Sequence, residues 1–354
     1  MNRSDRIRLF LSQYSEEENN ALKIDKDGLE AELSKPNIPM GLLMKGLIYF
    51  GGFISSMFFI LFIFLFGLGN HEWVLGGLGI SFFILGILIQ RHTTEIFFDS
   101  FSTFTFIIGQ ILLVTGLGLA DISEHIIILL LIVINSIAIL LLKRYMLLFL
   151  CALTVISTFN FWLHLLKVQL VHHLLIVTLG AFITFFFINE GKVYSMLKKR
   201  TEIINPILDA FIASFLIGLA NFIYDEKGFI IPYEWITTVT ISGLMLFFLI
   251  YSNKKLDLGY KPLTFFIFVI LLAVPTLYAP YVMGCLFLLI LGVINNYKTL
   301  KGLGAVTLVL SLANYYYDLE LTLLEKSLEM MASGIVFLGL YWFFFHKKNS
   351  NEKV

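Results

Sequence analysis

Long apolar runs, each closed by charged residues, glycine or proline, recur along the chain from about residue 46 to residue 345. A bilayer core about 30 Å thick needs about 20 mostly apolar residues in helix. Runs of that order lie near 46–68, 73–90, 104–120, 125–142, 146–165, 170–188, 207–224, 235–251, 262–279, 281–296, 301–317 and 328–345. The pattern predicts an all-α integral membrane protein of about 12 transmembrane helices. The ninth and tenth runs are the least regular, because Pro275 and Pro280 punctuate LAVPTLYAPYV, which reads as a short external turn or a broken helix.

The charges between the runs test this count, since cytoplasmic loops collect Lys and Arg. With the N-terminus in the cytoplasm, 22 of the 25 basic residues fall inside, and only Lys167, Lys227 and Lys326 fall outside. The external loops collect Glu72, Asp121, Glu124, Asp225, Glu226, Glu234, Asp318, Glu320 and Glu325. Adding or removing one span would scramble this segregation, so the prediction is twelve spans with both termini cytoplasmic. Residues 1–40 then form a polar cytosolic segment with helical character, 41–346 the polytopic transmembrane domain, and 347–354 a cytosolic tail. The first forty residues lack a basic stretch followed by an apolar one, so the first span is expected to act as its own insertion signal.

Composition agrees: 58% of the 354 residues are hydrophobic and 14% charged, against about 25% charged in soluble domains. That leaves too little polar surface for a water-soluble globule. The formal net charge of zero gives no pointer to nucleic acid, and none is expected as a partner beside the lipid bilayer. Cys151 and Cys285 each sit alone in an apolar run, which speaks against a disulfide or a metal site. Lysine outnumbers arginine nineteen to six and phenylalanine reaches 36, a bias expected of an AT-rich bacterial genome and hence of a multi-pass bacterial inner-membrane protein.

Sliding the chain on itself by 154 residues brings Arg144 onto Lys298, Asn160-Phe161-Trp162 onto Asn314-Tyr315-Tyr316, and Gly180 onto Gly334. An offset of six spans would make the halves a 6+6 parallel repeat, an arrangement of several transporter folds. Chance likeness between apolar sequences is the rival account.

Polar residues inside the runs are the candidates for chemistry. Asp209, Asn160, Asn314, Glu325, Lys326 and Glu329 would line a polar pathway or form structural pairs, because an ionisable group in a span is costly unless paired or solvated. Side-chain amides such as Gln110 and Asn135 serve by default as interhelical hydrogen-bond glue. Tyr315, Tyr316 and Tyr317 are either interfacial anchors or a surface for a partner. His172 and His173 are neighbours and cannot both face one ion, so no metal site is expected, nor a cofactor. Glycines in VLGGLGISFFILG and TGLGLA permit close helix contact. No Walker A, GxGxxG, HExxH, GxSxG or EF-hand pattern is present, and no catalytic residue is assigned.

At YYYDLELTLLEKS, with LILGVINNYKTLKGLGAVTLVLSLANYYY before it, LEMMASGIVFLGL after it and FIIGQILLVTGLGL earlier, the chain resembles the bacterial membrane family called domain of unknown function 4401. The resemblance implies no activity or catalytic residues. It does imply kinship with proteins that pair with a second multi-span domain and with a small membrane-anchored protein named for its GDYXXLXY motif, and so a partner on the outer side. Two readings follow: a transporter-like or channel-like protein, or a non-catalytic component assembling with that partner. The first expects Asp209, Asn160, Asn314 and Glu329 to converge on one water-accessible cavity. The second expects a dry, glycine-packed bundle with an exposed aromatic patch near Tyr315 to Tyr317.

Overall fold

Hydrocarbon offers a peptide group no partner, so apolar runs of this length are driven into helices, whose backbone bonds are internal. A computed structural model of the chain describes residues 42–318 except 68–70, 93–95, 166–168, 198–199, 224–232 and 257–260, together with positions 324, 327, 328, 331, 334, 335 and 338. The described regular structure is entirely helical: α1 Leu42–Leu65, α2 Glu72–His92, α3 Ile96–Leu119, α4 Glu124–Leu141, α5 Tyr145–Leu165, α6 Gln169–Ile188, α7 Glu190–Met196, α8 Ile204–Ala220, α9 Glu234–Leu256, α10 Pro262–Ala273, α11 Pro280–Ile294 and α12 Lys298–Asp318. Among the described residues eight of these, α1 to α6 with α8 and α9, are long and apolar enough to cross a bilayer, and α10 and α11 are shorter apolar helices. The first eleven predicted runs each coincide with a helix. In the twelfth, positions 328, 331, 334, 335 and 338 are helical, and the segments 1–40 and 347–354 lie outside the described residues.

Boundaries differ where polar residues disguise helix. α3 begins at Ile96, eight residues before the apolar run, because hydroxyls in its first turns bond back into the helix: Ser102 Oγ and Thr103 Oγ1 donate to Asp99 O at 2.9 and 2.7 Å, and Thr105 Oγ1 to Phe101 O at 2.7 Å. The proline-rich stretch resolves as a turn over 274–278, after which Pro280 starts α11 at a position where its missing N–H costs nothing. Between α6 and α8 the chain forms the short α7 and a 3₁₀ turn, Thr201–Ile203, which the apolar pattern does not announce.

Contacts show that the long helices alternate in direction. His172 and Phe182 of α6 meet Gly218 and Phe211 of α8, so these two are antiparallel. Thr238 near the start of α9 faces the Thr276 carbonyl just past α10, and Cys285 of α11 lies 3.2 Å from Ser311 of α12. Tyr49 and Phe53 of α1 meet Asp99 and Phe104 of α3, two helices apart and therefore parallel. Alternation gathers Arg91, Lys143, Arg144, Arg200, Lys254, Lys255, Lys298 and Lys301 at one end of the bundle. Glu72, Glu124, Glu234 and Asp318 gather at the other, with Trp73, Trp162, Trp235, Tyr278 and Tyr317. A large core joins α6, α8, α9, α10 and α11, and smaller clusters join α2 to α5 and α1 to α3. On the periphery Leu47, Phe50 and Phe58 of α1 are more than half exposed, a surface suited to lipid and not to water.

The tightest seam is α2 against α3. A Cβ added at Gly79 would lie 2.5 Å from Leu113 N, one at Gly109 2.5 Å from Phe83 N, and one at Gly116 2.5 Å from Gly76 N. Backbones touch here, as the glycine-rich sequence anticipates, and dispersion takes over the role that water would have in a soluble core. A Gly109→Ala substitution should therefore destabilise the protein in detergent by about 1–3 kcal/mol through overpacking. Gly118→Ala, which meets open space, should leave its thermal midpoint unchanged or slightly higher, and equal midpoints for the two variants would contradict the seam.

Candidate functional site

Asp209 lies in the second turn of α8, buried at 8% exposure. Each carboxylate oxygen accepts one phenol: Tyr145 Oη donates to Oδ2 in a short bond, and Tyr297 Oη donates to Oδ1 at 3.2 Å.

Local structure explains the convergence. Leu142 leaves α4 with extended backbone, and the Lys143-Arg144 turn reverses the chain so that Tyr145 opens α5. At the end of α11, Asn296 takes a left-handed conformation (φ 54°), and Tyr297 N bonds back to Gly292 O at 3.0 Å, which closes the helix and folds Tyr297 toward the bundle. Tyr194 of α7 donates to Asn205 Oδ1 of α8 at 2.9 Å, tying the short helix to the same corner. Phe187 meets the Tyr297 ring edge-on at 5.8 Å. Burial first, then the Asp209 charge, pushes the Tyr297 phenol up to about 12, so it stays a protonated donor across the physiological range. Burial and Glu190 likewise raise Tyr194. Such a site can hold a proton or a small cation on one carboxylate while two phenols fix its orientation.

The remaining candidates lie elsewhere. Asn160 stands 15 residues along α5 from Tyr145, about 22 Å at 1.5 Å per residue, and Asn314 is about 24 Å from the start of α12. Both therefore sit toward the end opposite Asp209 and do not share its site. Glu325, Lys326 and Glu329 lie outside the described residues. Tyr315 Oη donates to Pro275 O at 2.9 Å, pinning the end of α12 to the α10–α11 turn. Tyr316 and Tyr317 meet edge-on at 5.7 Å, and Tyr317 is 78% exposed.

Tyr145 and Tyr297 carry no signal in the sequence beyond standing beside turns. A second pair at the basic end, Tyr49 Oη donating to Asp99 Oδ2 at 3.2 Å, is equally silent there. Gln110 Nε2 donates to Asn135 Oδ1 at 2.6 Å, amide joining α3 to α4 as anticipated. His172 Nε2 lies 3.2 Å from Gly218 O, and His173 Nδ1 lies 2.5 Å from Thr237 Oγ1, so the two bind different helices. No group of three His, Cys, Asp or Glu residues able to hold a metal occurs among the described residues.

Eight helices long and apolar enough to cross a bilayer among the described residues mark a polytopic helical membrane protein. The chain belongs to the family described as Domain of unknown function (DUF4401), whose profile matches residues 42–347. Neither the curated proteins nor the solved structures contain a match.

A double-mutant cycle tests the clamp. Tyr145→Phe should cost about 1–3 kcal/mol of stability by leaving Asp209 Oδ2 without a donor. Tyr145→Phe combined with Asp209→Leu should cost less than the two singles together by about 1 kcal/mol or more in detergent unfolding. Strict additivity would show that the two groups do not interact.

Proposed function

We propose that the chain is a transporter-like or channel-like protein of a bacterial inner membrane, with Asp209 as the working carboxylate of its polar path. The observation that carries this reading is a buried carboxylate within an apolar helix, each of whose oxygens accepts a hydrogen bond from a phenol. Ionisable groups in spans are expensive and persist mainly where they handle ions, protons or substrate. Asn160 and Asn314 do not join it, so the reading rests on Asp209 and not on the convergence expected from the sequence.

The larger architecture proposed is twelve spans with the basic end and both termini in the cytoplasm. Support comes from the charge segregation and from the alternation of helix direction over 42–318. The 6+6 repeat draws support from sequential pairings: α2 with α3 and α4 with α5 are matched 154 residues later by α9 with α10 and α11 with α12. Other contacts differ between the halves, since α1 lies on α3 whereas α8 lies on α5, α6 and α11. Glu325, Lys326 and Glu329 would belong to the outer mouth of the path.

A second reading, a non-catalytic component assembling with a membrane-anchored partner on the outer side, is favoured by a different observation. Tyr278 and Tyr317 are 72% and 78% exposed on the two segments that Tyr315 joins. Exposed aromatics around one corner suit a protein contact.

Proteoliposomes containing a trapped pH-sensitive dye distinguish the two. Under an imposed potassium diffusion potential, the wild type should conduct protons faster than empty vesicles, and Asp209→Asn should remove that excess. If wild type and Asp209→Asn leak alike while Tyr278→Ala/Tyr317→Ala loses a co-purifying membrane protein, the assembly reading stands instead.

A further inference from the structure

At the basic end, the close of α2, the close of α4 with its turn, and the residue just ahead of the 3₁₀ turn enclose a cavity of about 390 Å³. Arg91, Lys143, Arg144 and Arg200 line it together with Gln90, and among the described residues no carboxylate does. Part of this has a plain explanation. Cations favour the carbonyl ends of helices, and Arg200 Nη2 donates to Leu140 O at 2.5 Å. Loops on the basic side would carry lysine and arginine in any case.

Neither point accounts for Gln90. Its side chain stands in the cavity wall at 5% exposure, and neither its amide oxygen nor its amide nitrogen meets a partner among the described residues. A buried primary amide with both ends unsatisfied is rare, and it marks a place where another polar group belongs. Cationic side chains gathered on one wall raise the potential at one another, and each gains from a counter-charge. Arg91 and Lys143 meet no carboxylate among the described residues. One occupant relieves both costs: an anion with several oxygens, able to accept from the guanidinium forks and from the Gln90 amide together. Three arginines favour a group recognised through paired oxygens, and phosphate fits that fork.

We infer that this cavity binds a phosphate-bearing anion, either the headgroup of an anionic phospholipid or a free phosphate ester. Basic pockets between spans at the membrane surface take headgroups of this chemistry, and a soluble phosphate would reach the same mouth from the aqueous side. The inference does not depend on transport.

The test uses the full chain, purified in neutral detergent and stripped of lipid, with thermal unfolding followed at constant ionic strength. One arm titrates inorganic phosphate and glycerol 3-phosphate against chloride. The other adds phosphatidylglycerol against phosphatidylcholine in mixed micelles. Saturable stabilisation by phosphate or glycerol 3-phosphate identifies a soluble ligand, and stabilisation by phosphatidylglycerol alone identifies a headgroup. Gln90→Leu should leave the midpoint of the unliganded protein unchanged or higher while weakening the phosphate-bearing probe about tenfold, the effect of losing one good hydrogen bond to an anion. Arg91→Gln/Arg200→Gln should weaken it about a hundredfold. Lys143→Gln, on an exposed turn, gives a folded variant with a loss of several-fold should the arginine pair fail to accumulate. Failure of every phosphate probe to exceed its control, or unchanged affinity in Gln90→Leu and Lys143→Gln, overturns the inference.

Discussion

Inside hydrocarbon a peptide group must find its hydrogen-bond partner within the chain, and polar side chains face the same demand. Hydroxyls meet it locally: Thr103, Thr105, Thr154, Thr178 and Thr184 each donate to the carbonyl four residues earlier. Larger polar groups can fold back as well, as Asn135 Nδ2 does to Leu131 O at 2.9 Å, but their reach also lets them meet a neighbouring helix. They therefore become the cross-links of the bundle: Gln110 to Asn135, His172 to α8, His173 to α9, and Asp209 to both Tyr145 and Tyr297. Helix order is set by apolar packing, whereas register at these points is set by polar satisfaction. Among the described residues Gln90 has both ends of its buried amide unsatisfied, beside single unsatisfied oxygens at Asp99 and Ser214.

The two ends of α2 and α3 illustrate how packing and function divide the molecule. Along their length the backbones touch at glycines, leaving no room for a ligand or for sliding. At the close of α2 the seam gives way to a cavity lined by leucines at the end of α4 and by cations from three separate segments. A rigid seam holding one wall of a cavity is the arrangement that keeps a binding group in place without a large ordering cost on binding. The Asp209 clamp draws on α5, α8 and the turn before α12, so a shift in any one of them alters the carboxylate's surroundings.

Much of the fold is legible in the sequence because apolar length is a one-dimensional signal. The helix positions, the turn at Pro275 and Pro280, the close contact at the glycines and the amide link near Gln110 can all be read from residues near one another in the chain. What cannot be read is which distant groups meet. Asp209 stands out as a carboxylate in an apolar run, but its partners are 64 and 88 residues away and look like ordinary interfacial tyrosines. Grouping Asp209 with Asn160 and Asn314 fails on helix length alone, since polar residues at opposite ends of spans cannot share one site. The early start of α3 is hidden because Ser102 and Thr103 resemble a loop until their hydroxyls are seen to bond into their own helix. Gln90 is unremarkable in sequence, and its isolation is a property of the packed cavity.

The central claim is that alternating helices carry the turns bearing Arg91, Lys143, Arg144, Arg200, Lys254 and Lys298 to one face of the membrane and those bearing Glu72, Glu124, Glu234 and Asp318 to the other. Single cysteines at Lys143, Lys254, Glu72 and Tyr317, in a background with Cys151 and Cys285 replaced by alanine, can be probed with a membrane-impermeant maleimide in oriented vesicles. The account predicts that Lys143→Cys and Lys254→Cys label from one side only, and that Glu72→Cys and Tyr317→Cys label only from the other. Labelling of Lys143→Cys and Tyr317→Cys from the same side would contradict it.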